Sequence, residues 1–214
     1  LHSTKRTYIV REPLGVVAII SPFNFPVLLS LQSAFAALIS GTAVVHKPSA
    51  YAPLTALRIG DLFAAAGLPA DLLQIVTGAA GTGQALTHAG VDHISFIGSS
   101  AAGRKVAGAA AEQLIPVTLE LSGKNAAIVL EDAPLPRAVH GVLFYAFAAN
   151  GQVCGSISRL YVHQAIAAAF KEQLQVQLDK WKVSIDPRSG GGDVTALVSD
   201  DLLARADNHV QDAV

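Results

Sequence analysis

Short runs of Val and Ile alternate along this chain with longer stretches rich in Ala and Leu, and this alternation constrains the fold most strongly. Short apolar runs bounded by turn residues are typical of buried strands, whereas the longer stretches have helical length. Strands that alternate with helices indicate βαβ units and a mostly parallel sheet. We therefore predict an α/β fold: a doubly wound, mostly parallel, Rossmann-like sheet, followed by the start of a second α/β domain.

The predicted elements follow from these patterns and from Gly and Pro stop signals. The predicted strands are residues 16–20, 42–47, 72–76, 93–97, 117–121, 126–130 and 159–163. The predicted helices are residues 26–40, 53–66, a short helix after a loop at 77–83, a helix that ends near 111, 136–149 and 164–181. Residues 189–193, which include three consecutive glycines, are predicted to form a flexible surface loop.

Composition argues against several kinds of partner and site. The formal net charge is −1 and no long run of like charge exists, so we expect neither nucleic acid nor a membrane surface as a partner. The longest apolar stretch is too short to span a bilayer. The chain has one Cys and a polar beginning without a secretory signal, from which we expect a cytoplasmic protein. The His residues lack metal-ligand spacing, so we predict no metal site.

Two glycine-rich segments join a predicted strand to a predicted helix. One contains Gly98, Ser99 and Gly103, and the other contains Gly81. Glycine lets the backbone approach a phosphate closely, and the N-terminus of a helix supplies oriented N–H donors. Each segment alone is explained equally well as a tight turn without a ligand.

Three further positions carry groups that can perform chemistry. Cys154, in a Gly-flanked segment, is either a nucleophile or a small buried apolar residue. Glu120, near the end of an apolar strand, is either a functional carboxylate or the partner of Lys124 in a surface ion pair. Asn24, between two Phe-Pro pairs, is either a turn residue or an amide donor for a developing oxyanion.

Taken together and in this order, the motifs resemble the aldehyde dehydrogenase superfamily in its NAD(P)-dependent, non-acylating form. The motifs are PFNFP at residues 22–26, HKPS at 46–49, FIGSSAAG at 96–103, LELSGKN at 119–125 and NGQVCG at 150–155. The resemblance implies an enzyme that oxidises an aldehyde, a small-molecule substrate, to a carboxylic acid with NAD or NADP. It also implies a homo-oligomer in the full-length protein, with residues 1–121 as the coenzyme-binding portion and 122–214 as the first part of the catalytic domain.

The resemblance assigns roles to individual residues. Cys154 matches the nucleophile that forms a thiohemiacetal, Asn24 the side-chain donor of the oxyanion hole, and Glu120 the base that activates water to hydrolyse the thioester. Partial burial of Glu120 would help it take a proton near neutral pH. The cofactor-binding residues that the resemblance implies are Ser21, Pro22, Phe23, Lys47, Ser49, Ala50, Gly81, Gly98, Ser99 and Gly103.

The chain departs from the family pattern in three ways. Ala50 stands where NAD-preferring members commonly have a Glu that repels a 2′-phosphate, so we expect NADP to be accepted at least comparably to NAD. Ser122 stands where the family more often has Gly, and Ala126 where Pro is common. The family's chains are longer at both ends and this chain has no Met, so we expect an excerpt that lacks part of the catalytic domain.

Three alternatives stay open at this point. A CoA-acylating or a reductive semialdehyde dehydrogenase shares the scaffold, although Glu120 favours hydrolysis of the thioester. An inactive nucleotide-binding fragment is the non-enzymatic alternative. A serine hydrolase is disfavoured, because residues 97–103 lack the G-x-S-x-G spacing.

Overall fold

The computed structural model describes residues 6–184, 186, 188 and 192–214. Contacts divide the chain into two compact units, Leu1–Leu121 and Ser122–Val214. Of the surface loop predicted at 189–193, residues 189–191 lie outside the described residues. Within the described part of the chain, no helix has the length and apolar character needed to cross a membrane.

The first unit is built on a five-stranded sheet in which every neighbouring pair is parallel. Its strands, in the spatial order β3-β2-β1-β4-β5, are β1 Val16–Ile20, β2 Ala43–Lys47, β3 Leu73–Ile75, β4 His93–Gly98 and β5 Val117–Leu121. Its α-helices are α1 Leu28–Ile39, α2 Pro53–Ala65, α3 Ala80–Leu86 and α4 Ser100–Glu112, and a 3₁₀ turn covers Ala70–Leu72.

The central strand β1 is buried on both faces of this sheet, which is why its sequence is an unbroken apolar run. Ile19 packs with Ala34 of α1 on one face. Ala18 packs with Val106 and Ala110 of α4 on the opposite face. Helices therefore cover both faces, and the prediction of a doubly wound parallel sheet is confirmed.

The strand order creates a switch point at the centre of the sheet. The chain moves outward from β1 to β2 and β3, then returns past β1 to form β4 and β5 on its other side. The loops that leave the carboxyl ends of β1 and β4 therefore diverge, and a crevice opens between them. Ligands of open α/β sheets bind in such crevices.

The second unit contains a parallel pair of strands packed against two helices. Its elements are β6 Asn125–Val129, α5 Leu135–Phe147, a 3₁₀ turn Ala148–Gly151, β7 Ile157–Val162, a 3₁₀ turn Gln164–Ile166, α6 Ala167–Leu178 and α7 Asp200–Ala213. Val139 of α5 and Phe170 of α6 are buried in its core.

Several helix boundaries differ from the predictions for local physical reasons. The helix predicted at 136–149 ends at Phe147, because Ala148 leaves the helical conformation with a ψ of 134°, and Ala149 and Asn150 then adopt left-handed conformations with φ of 49° and 58°. The helix predicted at 164–181 is a 3₁₀ turn followed by α6, and the His163 ring accepts a hydrogen bond from the Ala165 N–H at the start of that turn. Helix α3 begins within the loop predicted at 77–83, and α7 lies where no element was predicted.

A buried polar network ties β1, β2 and α1 together. The Ser30 hydroxyl donates to the Ser21 hydroxyl at 3.0 Å, and the Ser21 hydroxyl lies 2.8 Å from His46 Nε2. All three side chains are buried. Burial and, to a lesser extent, the neighbouring charge of Lys47 together lower the pKa of His46 to about 4. His46 is therefore neutral at physiological pH, and its Nε2 can accept the Ser21 hydrogen.

We predict that His46 makes the stability of the protein depend on pH below neutrality. The folded-state pKa lies below that of an unfolded histidine, so the unfolded chain binds the additional proton and stability falls as pH drops from about 6.5 towards 4. Wild type should lose about 2–3 kcal/mol more unfolding free energy between pH 7 and pH 4.5 than the His46→Asn variant. Urea unfolding at a series of pH values measures this difference.

The matched control is His209→Asn, because His209 is exposed on α7. Its stability curve should run parallel to that of wild type. The substitution at His46 also removes the hydrogen bond with Ser21, which shifts the whole curve, so the slope is the quantity to compare. Parallel curves for wild type and His46→Asn would show that this histidine is not held neutral.

Candidate functional site

A cavity of about 420 Å³ lies at the carboxyl edge of the first unit's sheet. It collects residues from the loops after β1, β2 and β4, as the switch point predicts. Most of the cofactor-binding residues inferred from the sequence line it: Ser21, Pro22, Phe23, Lys47, Ser49, Ala50, Gly98 and Ser99. The fold thus brings together groups from three separate motifs of the sequence.

Lys47 supplies the charge of this cavity, because no other described residue that lines it has a charged side chain. Its ammonium group donates to the carbonyl oxygens of Pro48 at 2.7 Å and Gly78 at 3.1 Å. Burial lowers the pKa of Lys47. An ammonium group has three N–H donors, so the two bonds to described residues leave one for a ligand. The side chain is held in place before any ligand binds.

The start of α4 forms another wall of the cavity through Gly98 and Ser99. The Ser99 hydroxyl caps the helix by accepting a hydrogen bond from the Ala102 N–H at 3.2 Å. A Cβ atom at position 98 would lie 2.7 Å from the Phe96 ring, so any other residue there would have to displace this ring, which lines the cavity. Cap and glycine together present a helix N-terminus whose N–H groups and dipole favour a phosphate.

A second cavity, of about 770 Å³, lies between α3 and α4. It shares Ile20, Lys47, Ala80 and Phe96 with the first cavity, so the two cavities adjoin, and together they are called the groove. Gly83 of α3 lines it, and a Cβ atom there would contact the methylene groups of Lys47. The groove therefore runs from the carboxyl edge of the sheet to the surface of two helices.

Two of the predicted cofactor-binding glycines, Gly81 and Gly103, do not line either cavity. Gly103 is buried in α4 against Leu121 of β5, where a Cβ atom would collide with the leucine side chain, so its place in the fold is helix–sheet packing. Gly81 is exposed in α3 with open space around it, and Ala80 and Gly83 of that segment face the groove instead. The reason is that α3 begins earlier than predicted, at Ala80, so residues 80–83 lie on different faces of a helix instead of in one loop.

The two candidate catalytic residues of the first unit differ in their surroundings. Asn24 is half-buried and immediately follows Phe23, which lines the first cavity. Glu120 is exposed on β5, so the partial burial that would help it take a proton near neutral pH is not found. The reason is that β5 is an edge strand of the sheet, and its residues alternate between half-buried and exposed.

Cys154 lies in a turn of the second unit that we name the nucleophile turn, residues 151–156. The Ser156 N–H donates to the Val153 carbonyl at 3.1 Å and closes the turn. The thiol-bearing residue is exposed, which argues against the alternative of a small buried apolar residue. Its accessibility is what a nucleophilic role requires.

Three amide side chains that sequence reasoning did not assign hold this turn in place. The Asn125 carboxamide donates to the carbonyls of Cys154 at 2.7 Å and Ser156 at 3.0 Å. Asn150 exchanges hydrogen bonds with the backbone and side chain of Thr195, and Gln152 accepts from the Val198 N–H at 3.0 Å. The sequence feature that could have identified them is their position within the LELSGKN and NGQVCG motifs.

Within the described residues, no group of three or more His, Cys, Asp or Glu side chains is arranged to hold a metal ion. The polar groups that line the first cavity are instead a lysine, hydroxyls and a helix N-terminus, which suit an anionic organic ligand, and the second cavity adds His88, Lys105 and Glu112.

Comparison with known proteins gives a consistent result. The family model of the aldehyde dehydrogenase family matches residues 1–214. The peroxisomal aminoaldehyde dehydrogenase 1 of Pisum sativum is 40% identical over 213 residues, which are 98% of this chain and 42% of the relative.

Two solved structures superimpose closely. The NAD-dependent aldehyde dehydrogenase of Sinorhizobium meliloti has a TM-score of 0.90 at 35% identity, over 94% of this chain and 40% of its own. An NADP-dependent enzyme of E. coli has a TM-score of 0.89 at 36% identity, over 94% of this chain and 42% of its own. The chain thus spans about two fifths of the length of these relatives. By its motifs, its fold and these matches, the chain belongs to the aldehyde dehydrogenase family.

Proposed function

We propose that the protein to which this chain belongs oxidises an aldehyde to a carboxylic acid with NAD or NADP. The observation that carries the proposal is the groove at the switch point of the sheet, which gathers the residues of the PFNFP, HKPS and FIGSSAAG motifs. Family membership supports the reaction class. Cytoplasmic location and homo-oligomeric assembly of the full-length protein remain proposals from the sequence alone.

The groove has the chemical features that a nicotinamide dinucleotide needs. The capped N-terminus of α4 suits the pyrophosphate, because its N–H groups and dipole attract negative charge. Lys47 suits a ribose hydroxyl or a phosphate, since it is held beside the groove with one donor remaining. The cavity between α3 and α4 has apolar walls on which a planar base can pack.

The proposed chemistry divides the oxidation into two steps at Cys154. The thiolate adds to the aldehyde carbon, and the Asn24 carboxamide donates a hydrogen bond to the oxygen that becomes negative. When bound, the nicotinamide coenzyme supplies the acceptor for the hydride that leaves this carbon. Glu120 then takes a proton from water, the resulting hydroxide attacks the thioester carbon, and the carboxylic acid and the free thiol are released.

Hydrolysis and transfer to CoA differ in their product, so product analysis tests the proposal directly. The full-length protein is incubated with a panel of aldehydes and with NAD or NADP, and coenzyme reduction is followed at the same time as product identity. Free acid without added CoA supports the proposal. Turnover only with CoA, and release of acyl-CoA, would instead identify the acylating alternative.

We predict that Cys154→Ala abolishes aldehyde oxidation in the full-length protein. The loss should be about 10³-fold or more in kcat, as for the removal of nucleophiles in general. Coenzyme binding should persist, because the groove lies in the other unit. Fluorescence titration with reduced coenzyme measures binding, and Cys154→Ser is the matched variant of nearly the same size. Near-normal kcat in the Ala variant would refute the role of Cys154.

We predict that Glu120→Gln separates the two steps. Formation of the thioester does not need the base, so the variant should release about one reduced coenzyme per active site and then stop. Rapid-mixing measurements of coenzyme absorbance detect this burst. A variant that binds coenzyme but shows no burst would place Glu120 in the first step instead.

We propose further that NADP is used at least comparably to NAD, on account of Ala50. Ala50 lines the first cavity three positions after Lys47 and brings no negative charge to it. A 2′-phosphate therefore meets the Lys47 ammonium without a carboxylate beside it. A preference of wild type for NAD above about 100-fold in kcat/KM would overturn this proposal.

We predict that Ala50→Glu shifts the ratio of kcat/KM for NAD over NADP towards NAD by at least about tenfold, through repulsion of the 2′-phosphate. Glutamine has nearly the same size as glutamate but no charge, so Ala50→Gln should change this kcat/KM ratio much less. Steady-state kinetics with both coenzymes measure the shift. Equal ratios in wild type and in Ala50→Glu would mean that the 2′ position of the ribose lies elsewhere.

A further inference from the structure

The nucleophile turn, residues 151–156, contains two glycines and carries its thiol in an exposed position. Glycine leaves the backbone free to adopt many conformations, so such a turn does not fix the direction of a side chain by itself. Covalent catalysis requires the reacting atoms to be held in a narrow range of geometries. Some other group must therefore set the orientation of the Cys154 backbone.

The Asn125 carboxamide is placed to do this. Its Nδ2 atom donates to the Cys154 carbonyl at 2.7 Å and to the Ser156 carbonyl at 3.0 Å. These carbonyls belong to two peptide groups on the C-terminal side of the thiol-bearing residue. Both N–H groups of one amide nitrogen are thus used to hold the outgoing half of the nucleophile turn.

The fold explains why Asn125 reaches these carbonyls. Asn125 begins β6 and pairs with Ile157, the first residue of the parallel strand β7, which directly follows the nucleophile turn. The ladder is irregular between Asn125 and Ala126. Gly123 leaves room for the carboxamide, because a Cβ atom there would lie 2.9 Å from Asn125 Oδ1.

The incoming half of the turn is held by different groups. Asn150 Nδ2 donates to Thr195 Oγ1 at 2.9 Å and to the Ala196 carbonyl at 3.1 Å, and Asn150 Oδ1 accepts from the Thr195 N–H at 3.0 Å. The left-handed backbone of Asn150 is sustained by these bonds. Loss of Asn125 therefore releases only the outgoing half, and the turn stays attached to the rest of the second unit.

We propose that Asn125 is the positioning residue of the nucleophile turn, and that its carboxamide orients the backbone of Cys154 for attack on the aldehyde. The inference rests on the proposed function for its catalytic consequence, whereas the structural role of Asn125 stands independently. The accepting carbonyls lie at or near the surface, so water can replace the lost bonds and the unit stays folded without them. Removal of the amide should therefore disturb the orientation of the Cys154 backbone more than it lowers the free energy of unfolding.

Three variants of the full-length protein test the proposal. Asn125→Asp keeps the shape but replaces two donors with acceptors, and Asn125→Ala removes the group. Asn125→Gln keeps the same donors on a side chain that is longer by a methylene group. Asn208→Ala is the matched control, because Asn208 is exposed on α7. Circular dichroism and coenzyme titration establish that each variant is folded and has an intact groove.

Two readouts are expected to change together. The rate of the coenzyme burst should fall by about 10–100-fold in the Asp and Ala variants, as for an ångström-scale misplacement of a reacting group, and Gln should recover part of it. Hydrogen exchange of the peptide that covers residues 151–157 should become faster in the same two variants, because the Ser156 N–H bond that closes the turn opens more often. Coenzyme affinity and the control variant should be unchanged.

The outcomes separate the possible explanations. Unchanged exchange in folded Asp and Ala variants overturns the positioning role, and faster exchange with an unchanged burst rate overturns its catalytic consequence. If wild type reduces no coenzyme with any aldehyde, the proposed function fails, and hydrogen exchange alone still decides whether Asn125 holds the turn. Should the Ala variant not fold, the Asp variant, which fills the same volume, decides in its place.

Discussion

Parallel pairing of β1 with both β2 and β4 is the interaction on which the rest of the first unit depends. Because the three strands run in the same direction, their carboxyl ends lie at one edge, and so do the residues that follow them. Ser21, Lys47 and Ser99 reach one cavity only for this reason. In an antiparallel arrangement, neighbouring strands would send their following loops to opposite edges, and the same motifs could not form one site.

Much of this architecture could be predicted from the sequence, because parallel strands buried on both faces leave a strong signal. The apolar run of β1 reflects two cores, one under α1 and one under α4. The helix boundaries were less predictable where long-range bonds override local preference. Helix α5 ends at Phe147, just before Ala149 and Asn150 take left-handed conformations, and that of Asn150 is sustained by hydrogen bonds to residues 195 and 196.

The residues of the groove could be inferred from motifs, whereas the residues that hold them could not. Pairing of Ser21 with His46 joins positions 25 apart in sequence, and Asn125 reaches carbonyls 29 and 31 positions away. Spacing within a motif says nothing about such contacts, because they depend on strand order and register. The exposure of Glu120 could not be predicted for a related reason, since only the sheet order reveals that β5 is an edge strand.

The electrostatics of the groove follow from two neighbouring residues of β2 that are buried in different ways. His46 points into the sheet core, and burial keeps it neutral, so it contributes a hydrogen bond and no charge. Lys47 is also buried and its pKa is lowered, but the carbonyls of Pro48 and Gly78 offset part of the cost of removing its ammonium group from water. A second cation beside Lys47 would lower that pKa further and favour loss of its proton, and with it the positive charge. The neutrality of His46 therefore helps to keep Lys47 charged at the first cavity, where it can meet an anionic ligand.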